Sequence, residues 1–363
     1  MSVQHLKRAG VELTLAAACT LGAAQCAHAQ SSVTLYGTID ASLLYTSKTL
    51  DMKTGGNAGH QYSFNDSGLS GSNFGMRGVE DLGGNLRAIF ALESGFSVAN
   101  GAFSNSNGNA FGRQAWVGVD GGFGTVKAGL QYSPFFIALY DFDPRGMSYF
   151  GSGLVSYNNN VYVTGLFNAN SVSYTSPEIA GLQAMGLFAM GGAAGDFQAG
   201  RQYSGSVRYH AGGLTIDAAL YSGNAGGSAA SIRVPTVVAF DGRTIGASYR
   251  FASLTLNASY VQYKVAGSFN NRVYSGGLSY KFGPAINVDA GVWYTRDANN
   301  STNHSVLAST GIDYYLSKAT LVYGQVGFVN NHGAMASGLS VNNAFNGPTG
   351  TTIGANLGIR HVF

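Results

Sequence analysis

The side chains that could do chemistry in this chain share one parity of an alternating pattern. Arg77, Arg87, Glu93 and Lys127 lie within runs whose odd and even positions differ sharply in polarity, and so do Asp40, Asp217, Asp289 and Arg360. A second group, Asp141, Asp143 and Arg145, follows the apolar run Pro134–Tyr140 inside the longest connection of the chain. Carboxylates and cations spread this way suit a charged, solvated lining better than an acid–base pair. Opposed across a narrow passage, they would create a transverse field that orients polar solutes and biases ion flow. No catalytic constellation accompanies them. His210, His304, His332 and His361 are scattered without metal-ligand spacing. Gly191-Gly192 lacks the strand–helix context of a phosphate loop. A β-barrel lipase or protease would need a Ser–His pair that spacing does not reveal. The reading is therefore no enzyme, no metal and no cofactor.

These residues need strands to position them. Val33, Leu35, Ile39, Leu43 and Tyr45 share one face, while Thr34, Tyr36, Thr38, Asp40 and Ser42 share the other. Leu86, Ala88, Phe90 and Leu92 oppose Arg87 and Glu93, and Val288, Ala290, Val292 and Tyr294 oppose Asn287 and Asp289. The helical period fits none of these segments. Connections alternate in length, which is an independent signal. Short turns such as Asp81–Gly84, Gly121–Gly124, Ala211–Gly213 and Gly283–Ala285 alternate with long polar stretches: Ser47–Gly68, Ser97–Ala110, Ser133–Asn170, Gly226–Phe240 and Asn331–Gly350. Counting between them predicts an all-β fold, a transmembrane antiparallel β-barrel of about sixteen strands with periplasmic turns and outer loops. The second of these strands is expected at residues 69–81.

The two ends of the chain agree with this reading. Lys7 and Arg8, the mostly apolar stretch Val11–Ala24 and Ala27-His28-Ala29 form a secretory signal, so residues 1–29 are expected to be cleaved and 30–363 to form a single barrel domain. Cys19 and Cys26 both fall in the removed segment, leaving no disulfide. At the other end Ile353, Leu357, Ile359, His361 and Phe363 share a largely apolar face in a strand that stops on an aromatic residue. Ile359, His361 and Phe363 are read as the signal through which the closing strand meets the barrel-assembly machinery. Tyr249, Phe251, Tyr280, Phe282, Tyr294 and Tyr314 lie near strand ends on the outward parity, where they suit interfacial girdles.

Composition narrows the class further. The chain has 363 residues, 53 of them Gly, and is 10% charged and 12% aromatic, which is too apolar for disorder. Outside the amino terminus no run approaches the ~18 apolar residues of a membrane helix. Removing Lys7, Arg8 and Glu12 from 20 basic and 17 acidic side chains leaves a net +2, which gives no support to nucleic-acid binding. The polar parity decides between a packed and an open interior. Inward charges in a small barrel would cost several kcal/mol each, roughly, unless paired, whereas a wide barrel holds water. The apolar run at Pro134–Tyr140 would be unusual at an exposed loop tip. Folded into the lumen it would narrow the channel and set Asp141 and Asp143 against Arg77, Arg87 or Lys127. The competing reading is a variable outer loop with incidental charges.

Several motifs then match a known family in order along the chain: Ser32-Val33-Thr34-Leu35-Tyr36-Gly37, Gly78-Val79-Glu80-Asp81-Leu82-Gly83-Gly84, Leu92-Glu93-Ser94-Gly95-Phe96, Arg113-Gln114-Ala115-Trp116-Val117-Gly118, Gln131-Tyr132-Ser133-Pro134 and Gly358-Ile359-Arg360-His361-Val362-Phe363. The chain resembles the general porins of β-proteobacterial outer membranes. The resemblance implies a homotrimer of sixteen-stranded barrels set among outer-membrane lipid and lipopolysaccharide. It also implies passive diffusion of ions and small hydrophilic solutes past an infolded third loop, often with anion preference. Where that family usually carries Arg, this chain has Asn73, Ser173, Leu130 and Ala319. Asn73 and Ser173 have lumen parity, so a weaker anion preference is expected, turning to cation preference if Asp141 and Asp143 dominate. A substrate-specific channel and an adhesin-like barrel that works through its outer loops are the alternatives.

Overall fold

The computed structural model describes residues 32–226 and 238–363. The expected signal segment with Cys19, Cys26 and Ala27–Ala29, and residues 227–237 of the expected Gly226–Phe240 loop, lie outside the described residues. The alternating pattern becomes seventeen antiparallel strands among the described residues. These are β1 (Ser32–Thr46), β2 (Gln61–Asp66), β3 (Asn73–Gly83), β4 (Leu86–Gly95), β5 (Gln114–Gly121), β6 (Gly124–Gln131), β7 (Asn168–Thr175) and β8 (Leu182–Ala189). They continue as β9 (Gln202–Ala211), β10 (Leu214–Gly223), β11 (Asp241–Phe251), β12 (Leu254–Lys264), β13 (Asn270–Phe282), β14 (Ile286–Asp297), β15 (His304–Tyr315), β16 (Thr320–His332) and β17 (Gly350–Val362). β1 runs against β17 from Thr38↔Val362 to Thr46↔Gly354, so the sheet closes and neither strand is left with a free edge. Phe363 completes the seam by exchanging backbone hydrogen bonds of 3.0 Å with Gly37. A Cβ at Gly37 would lie 2.5 Å from the Phe363 ring, so the glycine makes room for it.

The extra strand has a physical cause. β2 pairs with one half of β1 (Ala41↔Asp66 to Thr46↔Gln61) and β3 with the other (Ser32↔Val79 to Thr38↔Asn73). The two short strands are therefore one stave broken in the middle, and the barrel has sixteen staves. Sequence alternation assigns residues 61–66 to a loop and starts the second strand at 69. The structure corrects both. Tyr62 and Phe64 point outward with Asn65 buried beside them, and residues 67–72 leave the ladder. The buried Asp40 carboxylate draws them out: it accepts N–H bonds from Gly68 (3.0 Å), Leu69 (2.9 Å) and Ser70 (2.8 Å).

Burial follows parity around the wall. Val33, Leu35, Leu43 and Leu357 are 62–66% exposed on the outer surface, whereas Asp40, Ser42, Gln325 and Asn356 are buried inside. Outer exposure of this kind is stable in lipid, because closed pairing leaves the wall's backbone amides satisfied without water. Tyr249, Phe251, Tyr280, Phe282 and Tyr314 are exposed at the strand ends beside the short turns, and Tyr280 meets Phe282 edge-on at 4.5 Å.

The largest apolar cluster lies within the lumen, around the connection from β6 to β7. This third loop contains two helices that strand periodicity does not foresee, α1 (Pro134–Phe142) and α2 (Gly153–Val161). Each begins on a serine cap. Ser133 accepts the Phe136 N–H with Pro134 opening the first turn, and Ser152 accepts the Leu154 N–H. α1 turns Phe135 and Phe142 onto the wall, where Phe135 packs 6.2 Å from both Tyr221 and Phe240. Two inward glycines of β11 admit these rings. A Cβ at Gly242 would meet Phe135 at 2.7 Å, and one at Gly246 would meet Phe142 at 2.3 Å. Gly246→Val should therefore overpack this contact at about 1–3 kcal/mol. Thermal unfolding of the folded barrel should show a lower Tm, and an unchanged Tm would contradict this packing.

Candidate functional site: the constricted lumen

The third loop crosses the barrel interior and is fastened at both sides. Near its middle, Arg145 is fully buried and pairs with Asp289 of β14 at 2.6 Å. The same guanidinium donates to the carbonyls of Phe150 (2.8 Å) and Gly151 (3.2 Å) and to Ser309 Oγ of β15 (2.9 Å). A Cβ on Gly311 would lie 2.5 Å from Arg145 Nη2, so that glycine keeps the site open. Asp143 is buried and accepts N–H bonds from Arg145 (2.9 Å), Met147 (2.9 Å) and Gly153 (2.7 Å), which closes the turn between the helices. Burial pushes its carboxyl above the ordinary value, and these three amides and the Arg145 charge pull it back down. Asp141 forms an ion pair with Arg208 of β9, which also reaches Asp217 of β10 at 3.3 Å.

The remaining charges expected at the site stand elsewhere. Arg87 pairs with Asp120 near the short turns, and Thr125 donates to the same carboxylate at 2.6 Å. Lys127 lies 4.4 Å from the centre of the Trp116 ring, and Arg77 lies 5.6 Å from that of Tyr36. Glu93 is buried, pairs with Arg113 at 2.5 Å and accepts the Tyr36 hydroxyl at 2.9 Å. The structure thus brings Asp143 and Arg145 together, but it does not set Asp141 or Asp143 against Arg77, Arg87 or Lys127. Most of these loop and wall charges meet nearer partners instead. Asn73 donates to the Gly71 carbonyl at 2.8 Å, and Ser173 donates to Gln131 Oε1 at 2.7 Å, so both positions are neutral and hydrogen-bonded. On the outer face Ile359 and Phe363 are exposed, while His361 Nδ1 lies 2.8 Å from Thr320 Oγ1.

Between the loop and the far wall remains a cavity of about 690 Å3. Tyr132, Tyr140 and Arg113 border it on one side, and Lys281, Asp313 and Arg360 on the other. Alternation does not place Arg113 here: it extends β5 over residues 112–120 and gives Arg113 the outward parity of Ala115 and Val117. The structure corrects this, because β5 begins only at Gln114 and Arg113 turns inward to Glu93. Nor does alternation reveal the broken stave as part of the site, although Leu69, Ser70 and Gly71 line the cavity. Ser148 of the third loop donates to the Gly68 carbonyl at 3.2 Å, and the Tyr149 N–H donates to the Leu69 carbonyl at 3.2 Å. The wall bulge held by Asp40 is therefore the shelf on which the loop rests. The stretch Asn331–Gly350 covers the loop from the other side. Val341 N–H donates to the Tyr149 carbonyl at 2.9 Å, and Asn159 Nδ2 donates to the Phe345 carbonyl at 2.7 Å.

A wide closed barrel with a polar lining and a fastened inner loop is the arrangement of an aqueous channel. Residues 14–334 match the sequence profile of the Gram-negative porin family. The chain is a Gram-negative porin. This porin is 30% identical to outer membrane porin protein 32 of Delftia acidovorans over 368 residues, covering 96% of this chain and 99% of the relative. It is 28% identical to an outer membrane porin protein of Bordetella pertussis over 404 residues, covering 96% of this chain and 99% of that relative. Among solved structures it superposes on an anion-selective porin from Comamonas acidovorans with a TM-score of 0.78 at 27% identity, covering 92% of this porin and all of that chain. Salmonella typhi OmpF, at 15% identity and a TM-score of 0.62, shares the fold. The chain is accordingly an outer-membrane channel for passive diffusion.

The shelf can be tested directly. Asp40→Ala would leave the amides of Gly68, Leu69 and Ser70 without their acceptor, at about 1–3 kcal/mol for each one that stays buried. Its barrel should melt at a lower temperature and give noisier single-channel current than the native protein. Native-like melting together with native-like noise would show that Asp40 does not hold the shelf.

Proposed function

We propose that this porin passes small hydrophilic solutes and ions of both signs, with only a weak preference for anions. The observation that carries this reading is the pairing inside the lumen. Asp141, Arg145, Arg208, Glu93 and Arg113 are all tied in ion pairs, so each contributes little net field to the passage. Lys281 and Arg360 border the remaining opening with Asp313, and among the described residues neither cation forms an ion pair with a carboxylate. Asp143, which also borders the opening without an ion pair, is buried and bonded to three backbone amides, and Asp313 is buried as well, whereas Lys281 is exposed and Arg360 half-buried. The balance facing the opening is a small positive bias, which physiological salt screens further. Neutral Asn73 and Ser173 agree with that weakness. In this reading Asp143 and Arg145 shape the constriction, while Arg77, Arg87 and Lys127 bias the vestibule on the turn side.

The assembly belongs to the same proposal. A trimer form is described for Vibrio cholerae OmpT, whose fold this chain shares, and a homotrimer is the state proposed here. Ile359, His361 and Phe363 present the apolar face of the closing strand to the assembly machinery. The outer surface sits in outer-membrane lipid and lipopolysaccharide.

Reversal potentials in a planar bilayer under a salt gradient test the selectivity. The native protein should give a small potential of anion sign. Lys281→Gln combined with Arg360→Gln should move it towards cation sign, and Asp313→Asn should strengthen anion preference. A strongly anion-selective native channel that both changes leave unaltered would overturn the assignment.

A further inference from the structure

The outer surface near the long-loop rim carries a feature that solute passage does not use. Backbone register places Arg243, Gln262, Arg272, Arg296, His304 and His332 side by side across six consecutive strands, β11 to β16. All six have outward parity, and Arg243, Arg272, Arg296 and His332 are exposed. Among the described residues no carboxylate forms an ion pair with any of the three arginines. Arg272 and Arg296 are direct cross-strand neighbours, an arrangement that like charges disfavour unless an anion lies between them. His304 and His332 end the row as stacked rings 4.4 Å apart. The outward acid of this region, Asp241, stands nearer the rim and opposite Lys264, whereas Asp297 points inward and accepts the Asn270 N–H at 3.0 Å.

The next outward row towards the membrane centre is aromatic. Tyr260, Tyr274 and Tyr294 are consecutive cross-strand neighbours with ring centres 5.3 and 6.5 Å apart, and Tyr294 also lies 6.3 Å from His304. Such a tyrosine band marks the level where acyl chains give way to headgroups. The cations immediately above it therefore stand at headgroup height, facing lipid rather than the lumen.

We infer that Arg243, Arg272, Arg296 and the His304–His332 pair form a binding site for the phosphates of a phosphorylated glycolipid in the outer leaflet. Bidentate guanidinium–phosphate contacts relieve the Arg272–Arg296 repulsion, and the tyrosine row receives the first methylenes of the acyl chains. Inorganic phosphate would satisfy the charges but not the aromatic row, so the occupant is a lipid. The inference rests on the outer-membrane reading above.

The test uses the folded protein in detergent micelles, titrated with diphosphorylated lipid A and followed by native mass spectrometry. Arg272→Gln combined with Arg296→Gln should weaken binding about 10- to 30-fold, two surface cations being lost. Dephosphorylated lipid A should bind the native protein as weakly as lipid A binds the variant, and millimolar inorganic phosphate should not displace lipid A. Equal binding of lipid A by native and variant protein, equal binding of the dephosphorylated lipid, or displacement by inorganic phosphate would each overturn the site. Single-channel conductance of the same preparations separates this outcome from failure of the channel reading: it should be the same in native and variant protein, and its absence from both would strike at the channel itself.

Discussion

The guanidinium of Arg145 decides where the inner loop of this barrel lies. It is buried from all sides and reaches from the third loop to Asp289 and Ser309 on the opposite wall. A charge in such a place needs an ion-pair partner and hydrogen bonds, here supplied to Nε and Nη1, and an unpaired one costs several kcal/mol, roughly. That demand specifies one position for the loop. Phe150 and Gly151 turn their carbonyls to the same group, Asp143 closes the preceding turn, and α1 is then carried onto β9 to β12. The apolar face of α1 supplies the burial, but apolar packing alone would leave sliding positions open.

A second buried charge does the corresponding work in the wall. Asp40 takes three amides out of the barrel ladder and accepts the Tyr323 hydroxyl at 2.6 Å. A transmembrane sheet cannot ordinarily leave its ladder without stranding polar groups in lipid. Here the broken stave turns inward, where Asp40 and the third loop take over its hydrogen bonds. The two anchors therefore meet in one structure: the loop is clamped by Arg145 on one side and rests on the Asp40 shelf at the other. What remains open between them is the passage.

Much of the architecture was legible in the residues. Alternation at Val33–Tyr45 and Ile286–Thr295, together with short and long connections in turn, is enough for a closed antiparallel barrel, because a lipid-facing strand must be apolar on every second residue. Infolding of the third loop followed from apolar Pro134–Tyr140, which has no place on an exposed tip. The broken stave was hidden because its cause, Asp40, lies on a different strand from the residues it displaces. The pairing of the site was hidden for the same reason. Charge type and parity assign a residue to the lumen, but the choice of Arg208 for Asp141 or Asp120 for Arg87 is made by depth and by strand position around the barrel, which a linear pattern does not encode. Arg113 was not read as a lumen residue because alternation through residues 112–120 gives it the outward parity of Ala115 and Val117, whereas the chain joins β5 only at Gln114.

The width of the passage depends on the third loop being held there by the Arg145 clamp. The most direct measurement is the single-channel conductance of Arg145→Met in a planar bilayer, using barrels whose circular dichroism shows the β-sheet intact. Methionine removes the charge and its bonds to Asp289, Phe150, Gly151 and Ser309 while keeping an unbranched chain in the cavity. Larger and noisier current steps than in the native protein are predicted, because the released loop no longer narrows the lumen. Steps of native size and steadiness would contradict the claim that this buried ion pair sets the width of the pore.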